Sequence, residues 1–530
     1  MDHLPFWIKA RLPVLQARVE HYAPLMVWMF VILTLCFIPF KIVSLGFMPP
    51  DDALRHVAKV ISGKSWQEIL VMPKDLTIDH HAGWHAILGF MYRTFHLDAD
   101  TLVVFSMVGL YILFAFSLFT SSRRAEAVIL MMVLSLVTIP AYVYRQMLGR
   151  PFLVPMAMLV VLLPLWTNKN RITISRLTVT TLLLTVAIWI HGSWFVYPLL
   201  LAAFFLSGYF RQGFALTGCW LVGSFVAALL TGQPIDFFVQ QIKHLTLSYS
   251  GQWLQRMLVS EAQPSDGDFS FVVAVVVLII FQKQLLGRWD KSNFLNPSFI
   301  LGLLGWILGF KILRLWLDWG LPAMMVWTAV QIQTILVWKV GYTSLRRLAF
   351  TSLACLTLFL ASTSDLGGRW TNNLTDVHLS AEDKKIVDWL PGKGGIFYSV
   401  DMGVFYQTFY KNPHAPWRYV LGFEAGFMLP EDREIFRNIQ WRYLDAAYDP
   451  WVKKMRPEDR LVIRGISSVK PSIPKLEWAY VIHRTWIGRL PKEKPPAASE
   501  KKNEENKQET QIQSPVGPLS NGIPPFTRNN

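Results

Sequence analysis

Charge is scarce in this chain. Asp, Glu, Lys and Arg together make up 16% of its 530 residues, against about 25% in an average globular protein. The few charges cluster between long apolar runs, which excludes a soluble enzyme built around one large core. Cysteine is scarcer still. Cys36, Cys219 and Cys355 all fall within apolar runs, so neither a disulfide framework nor a cysteine zinc site follows from them. No repeat of fixed period is visible. No cleavable signal peptide is visible either: the first apolar run starts late, is too long and lacks a small-residue cleavage site. The net charge of +15 is no sign of a nucleic-acid partner. Much of it lies in short segments beside apolar runs, where Lys and Arg fix orientation.

What the chain has in quantity is apolar sequence, 52% of all residues. Runs at 24–45, 99–120, 125–143, 151–167, 174–191, 193–210, 214–231, 268–286, 297–313, 320–339 and 343–362 are long enough to cross roughly 30 Å of hydrocarbon. They predict an α-helical polytopic membrane protein of about eleven transmembrane helices. A basic, aromatic arm carrying Lys9, Arg11 and Arg18 precedes the first run. With the N-terminus in the cytoplasm, the inner loops are 121–124, 167–176, 211–213, 283–291 and 339–347. Each carries Lys or Arg, as the positive-inside rule requires. The outer segments are then a first loop at 47–98, a polar loop at 232–267 and everything after 362.

Residues 1–362 thus read as the transmembrane domain and 363–490 as a small soluble α/β domain on the outer face. In the latter, Ser380-Ala381-Glu382-Asp383 has the form of a capping box and predicts a helix over 382–389. Strand-like runs follow at 396–400 and 478–483. Residues 491–530 are rich in Lys, Glu, Gln and Pro and poor in large apolar residues, the composition of a disordered tail. Asn373-Leu374-Thr375 fits a glycosylation acceptor, taken as chance in a chain of otherwise bacterial aspect.

The chemistry centres on Met48-Pro49-Pro50-Asp51-Asp52-Ala53-Leu54-Arg55-His56. Two adjacent carboxylates follow a Pro-Pro break where the first run has just ended. Leu54, Val57, Ala58 and Ile61 recur at helical spacing, so an amphipathic helix from 51 to about 61 is expected along the membrane surface. Asp51 or Asp52 would stand at its N-cap, a place Asp also favours with no catalytic duty. A second short helix is expected at 82–95, after Asp79-His80-His81. His81 and His85 are four apart and share a face. With Asp79 or His80 they form a weak candidate for a divalent cation, since two histidines at this spacing are common by chance; no metal ligand is assigned. Hydrogen bonding to substrate or to the Asp pair is the simpler role. Outer ends of other runs contribute Arg145, Arg150, His191, Lys311, Arg314 and Asp318. Arginines on the outer side break the positive-inside trend. Snorkelling to headgroups accounts for any one of them, but as a set they suit phosphate, which a guanidinium grips with two charge-assisted bonds.

An acidic pair opening the first outer loop, Pro50-Asp51-Asp52, two juxtamembrane helices in that loop, a cytoplasmic N-terminus and a soluble outer domain after the last span together resemble the GT-C glycosyltransferase superfamily. The resemblance covers most of the chain in architecture and only a few residues in motif. It implies an enzyme of the bacterial inner membrane that moves a sugar from a polyprenyl-phosphate-linked donor to an acceptor glycan, lipid or protein at the periplasmic face. It also implies that Asp51 or Asp52 serves as base or metal contact. In that scheme Arg145, Arg150, Lys311 and Arg314 hold phosphate, Arg55 belongs to the substrate site, and His81, His85 and His191 line the acceptor side. No Trp-Trp-Asp motif is present, and Asp79-His80-His81-Ala82-Gly83-Trp84 stands where some relatives carry a Tyr-Pro-Pro type segment, so the subfamily stays open. The rivals are a polysaccharide polymerase or ligase of another fold, which tends to place its arginines in a large central outer loop, and a lipid-linked-glycan transporter, which would show two related halves.

Overall fold

The computed structural model describes residues 6–167, 171–249, 260–287, 291–339, 344–372, 378–442, 444–465, 469–482 and 484–491. The tail after 491, the Asn373 acceptor motif, His483, Arg256 and the side chains of Lys9 and Arg11 lie outside the described residues.

Helix dominates. The first half runs α1 Phe6–Ser44, α2 Asp52–Ser62, α3 Trp66–Ile69, α4 Ala82–Phe95, α5 Ala99–Ser117, α6 Ala125–Thr138, α7 Tyr142–Gln146, α8 Leu153–Thr167, α9 Ile174–His191, α10 Pro198–Leu206, α11 Phe210–Leu230 and α12 Pro234–Tyr249. Helices Phe269–Leu286, Pro297–Gly309, Leu321–Lys339 and Ser344–Thr363 follow. Six of the described helices are long and apolar enough to cross a membrane, and five shorter ones are apolar. The chain is a polytopic membrane protein.

Several expectations need correction. The basic arm and the first span form one continuous helix, α1, because no glycine or turn interrupts 6–44. The segment 232–267 is not a loop throughout: α12 fills its first half, with Pro234 in its first turn. The Gln240 side chain of α12 accepts from the backbone N–H groups of Thr77 and Ile78, each at 2.9 Å, and so fastens the first loop. The helix expected at 382–389 is a series of turns with one 3₁₀ turn, Val387–Trp389. There the Asp383 side chain accepts from the Lys385 N–H, and backbone bonds close back on Asp383 instead of propagating. Nor does α2 leave one face open. Ala53 to Ala58 are all buried, Arg55 and His56 included, because α2 is wedged between α4, α5 and helix Met402–Lys411.

Near the site, two close approaches shape the bundle. Gly149 has φ +65°, and a Cβ there would meet the Ala53 Cβ at 3.1 Å. The turn before α8 therefore nests against the first turn of α2, and glycine suits both the left-handed backbone and the missing space. A Cβ on Gly305 would meet the Gly320 Cα at 2.4 Å, so helix Pro297–Gly309 packs backbone to backbone on the segment 316–320. Small residues permit such contact between membrane helices. That segment is a π-helical turn, Trp316–Gly320. It makes one run of helix from Leu313 to Val337, where the sequence predicts a turn ending near 320.

After helix Ser344–Thr363 the chain builds a five-stranded sheet from β1 Ile396–Ser399, β2 Arg418–Tyr419, β3 Arg460–Arg464, β4 Glu477–Ile482 and β5 Thr485–Arg489. Its order is β2-β1-β3-β5-β4. β1 runs parallel to β2 and β3, while β5 runs antiparallel to β3 and β4. The two strand-like runs read from the sequence are β1 and β4, displaced by a residue at their ends. Leu70 of the first loop forms a parallel bridge with Tyr419 of β2, and the Val71 N–H donates to the Tyr419 carbonyl at 2.9 Å.

Candidate active site

A cavity opens where α2, α7, α8, α9 and the segment 313–325 meet. Its lining includes the polar residues Asp52, His81, Arg145, Arg150, His191, Glu261, Arg314 and Asp318. It also includes the apolar residues Phe114, Ile139, Leu153, Met156, Leu317, Leu321 and Met325. Such a mixed lining suits a ligand with a charged head and a hydrocarbon chain.

The Pro-Pro break before Asp51 ends the extended segment, and Asp51 caps α2. Its Oδ1 accepts from the Asp52 N–H at 2.6 Å, while Oδ2 accepts from Arg150 Nη2. Asp52, one position into the helix, lines the cavity. Its Oδ1 accepts from Arg55 Nε at 2.7 Å, and Oδ2 stands 3.7 Å from Arg150 Nε. The two carboxyls are pushed apart electrostatically. Burial raises Asp51, against Arg150 and with help from Asp52. Burial also disfavours the Asp52 charge, but Arg55 and Arg150 overcome it and lower that group. Neighbouring carboxyls whose acidities diverge take different roles: Asp52 is the ionised face of the pair, and Asp51 its anchor.

Glu261 sits at the centre of the network. Its Oε1 accepts from Arg145 Nη1 at 2.6 Å and from Arg150 Nη1, and its Oε2 accepts from Arg314 Nη2 at 2.9 Å. Burial opposes its charge, yet Arg150, Arg145 and Arg314 hold it well below the usual carboxylate range. Asp318, carried on the π turn, accepts from Arg145 Nη2 at 2.6 Å and stands 3.6 Å from Arg314 Nε. A π turn re-aims the side chains it carries, and such turns are common at functional sites. Four carboxylates thus face four guanidiniums, Arg55, Arg145, Arg150 and Arg314.

Beside this network lies a run of imidazoles. Asp79 Oδ2 is 2.5 Å from His85 Nδ1, and His85 Nε2 is 2.8 Å from His56 Nδ1. Burial opposes the charge of Asp79, but His85 holds it well below its ordinary value. An ionised carboxylate only accepts, so the network assigns the His85 proton to Nδ1 and the His56 proton to its own Nδ1. His56 Nε2 is then a bare acceptor, buried and without a hydrogen-bond partner among the described residues. The His56 ring lies 4.6 Å from that of His81, which lies 4.9 Å from that of His191. Burial first, then neighbouring charges, push His56 and His81 far down, so both are neutral at pH 7.

The structure therefore gathers Asp52, Arg145, Arg150, Arg314, His81 and His191 about one cavity, while Asp51 stands off its lining, bonded to Arg150. Arg55 is not on the cavity wall: it is buried, bonded to Asp52 and set 4.1 Å over the Phe423 ring. His85 stands behind His56, away from the lining. Lys311 is exposed and does not line the cavity, because the chain turns at 310–311 before Arg314 enters it. Glu261 escapes the sequence reading, being a lone Glu in a polar segment with no periodicity around it. Asp318 carried a signal, an ionisable side chain at the end of an apolar run. A divalent cation does not suit this donor set: the cavity carboxylates are engaged by guanidiniums, and no group of three or more His, Cys, Asp or Glu among the described residues is arranged to hold one.

No protein-family model and no curated protein sequence matches the chain. The crystal structure of ArnT from Cupriavidus metallidurans in the apo state does, over 87% of this chain and 97% of that one, at a TM-score of 0.52 and 13% identity. The chain has the fold of ArnT. The likeness is one of fold, since 13% identity leaves nearly every side chain different. That likeness shows the fold and no more. It leaves the subfamily open.

Proposed function

We propose that this protein is a glycosyltransferase of the bacterial inner membrane that takes its sugar from a polyprenyl-phosphate carrier at the periplasmic face. The observation that carries the reading is the convergence of Asp52 with Arg145, Arg150 and Arg314 on one cavity that is also lined by apolar side chains. The ArnT fold supports the reaction class. The charge pattern of the loops supports an outer-face cavity with the N-terminus inside. The six long and five shorter apolar helices accommodate eleven crossings. The sheet after residue 362 would then form the outer α/β domain over 363–490.

In this reading the lipid phosphate lies on the guanidiniums and its chain along the apolar side chains. The acceptor hydroxyl attacks the anomeric carbon, the bond from that carbon to the phosphate oxygen breaks, and the arginines stabilise the departing phosphate. Asp52 accepts the hydroxyl proton. Asp51 and Arg55 are positioning residues that hold Asp52. The neutral His81, together with His191, supplies hydrogen bonds to the sugar or acceptor.

The test is transfer from a lipid-linked sugar in membranes containing Asp52→Asn, with glycolipids and surface glycans compared by mass spectrometry. A fall of about 10²–10⁴-fold is expected. Full transfer by Asp52→Asn ends the general-base assignment. Sugar lipid crossing the membrane with no product formed would favour a transporter.

A further inference from the structure

The arginines on which this reading rests are already occupied. Three of them, two from the stretch 145–150 and one from the segment 313–320, converge on the single carboxylate of Glu261. Both of its oxygens are taken, and the group is buried. Simple bundle stability needs no such knot, because three charged side chains are desolvated to hold one. An anion whose oxygens are gripped by several guanidiniums is, however, how a phosphate group is also held.

Charge balance points the same way. Four carboxylates face four guanidiniums here. A phosphate added to that set would leave excess negative charge in a poorly solvated cavity, a costly arrangement. A phosphate that replaces one carboxylate restores the balance. Among the four, Glu261 is the one whose removal frees Arg145, Arg150 and Arg314 together. Asp51 and Asp52 are fixed to α2 through the helix cap and Arg55, and Asp318 belongs to the π turn.

We propose that Glu261 is a built-in stand-in for the phosphate of the lipid carrier: it occupies the arginine seat in the empty enzyme, swings out when the phosphate enters, and competes with it afterwards. This rests on the phosphate-binding reading above and deepens it. Glu261 is then a specificity-determining residue. It sets a threshold that neutral lipids do not cross. It also favours release of the carrier phosphate, because its return to the arginines competes with the product.

The experiment measures binding of farnesyl phosphate, with farnesol and inorganic phosphate as controls, to the full-length protein in nanodiscs. Wild type, Glu261→Gln and Glu261→Asp are compared, and a thermal melt of each reports its folding. Wild type is expected to prefer farnesyl phosphate over farnesol. Glu261→Gln is expected to bind farnesyl phosphate at least about tenfold tighter, the scale of removing one competing charge-assisted contact, with farnesol unchanged. Inorganic phosphate should compete better against that variant than against wild type. If Glu261→Gln unfolds, Glu261→Asp decides: its shorter reach should give a smaller gain of the same sign. Equal or weaker farnesyl phosphate binding by a folded variant, with wild type still preferring the phosphate, overturns the stand-in and leaves the glycosyltransferase reading intact. Wild type and variants that bind farnesyl phosphate and farnesol alike overturn both.

Discussion

The two ends of α6 carry buried ion pairs of the same chemistry put to different use. At its start Glu126, 1% exposed, meets Arg347 through two bonds of 2.7 and 3.1 Å, with Arg124 at 3.7 Å. Beyond its far end, roughly 20 Å away by helix rise, Arg145 and its neighbours surround Glu261. The first pair joins α6 to helix Ser344–Thr363 and is no part of the lining of the cavity above. The second is spread over five segments and lines it. Burial and pairing alone therefore do not mark a functional site. What separates the two ends is open space beside the charges and a share of guanidiniums that one carboxylate does not need.

Three measurements press on this difference. The largest effect belongs to the closed pair. Glu126→Ala should lose about 3–5 kcal/mol of stability, because Arg347 is left charged in an apolar setting. The double variant Glu126→Met with Arg347→Leu should recover most of it. Thermal or denaturant unfolding in detergent would show this, and a double variant no better than the single would mean that Glu126 is more than a staple.

The second effect is in pH. His56 and His81 are held far below the ordinary histidine value, and His80 at about 3, each mainly by burial. Below about pH 6.5 the unfolded chain takes up protons on these rings and the folded chain does not. Protons bound in the unfolded state exceed those in the folded one, so stability falls as pH drops through that window. Replacing His56 by Gln should flatten the fall, by roughly 1 kcal/mol between pH 6.5 and 5.5. Unfolding curves of equal slope in both proteins would show that His56 is protonated in the fold.

The smallest effect concerns Lys311, which stands outside the cavity. Lys311→Ala should change stability by less than about 0.5 kcal/mol and leave transfer within twofold. A large loss of transfer would restore Lys311 to the phosphate site.

Much of this was legible because it is local. Membrane spans announce themselves by composition, and α4 and α9 run over the expected residues because hydropathy and turn residues bound them sharply. Asp51 could be placed at a cap from the Pro-Pro break. The convergence of Arg145, Arg150 and Arg314 followed from topology: an odd or even number of crossings decides which loops share a side with the first loop. Other features are not written in any short window. Glu261 acquires its role only through partners 53 to 116 residues distant in sequence. The π turn depends on backbone contact between Gly305 and Gly320 across two segments. The 3₁₀ turn at 387–389 shows a capping signature without a helix to cap, because Asp383 closes a turn on Lys385 first. Lys311 and Arg314, three residues apart, look equivalent in sequence and diverge by one change of chain direction.

The bridge between Leu70 and Tyr419 has a consequence for how this protein can be handled. β2 is two residues long and lies at the margin of the sheet, where its unpaired side would invite a foreign strand. The first loop supplies the missing neighbour, and Lys64 adds a bond to the Ala415 carbonyl just upstream. A fragment beginning after residue 363 would be expressed with that margin bare and the apolar contacts of Trp66, Ile69 and Leu70 vacated. It should therefore self-associate, whereas a fusion that carries residues 63–72 as a tethered strand should stay monomeric.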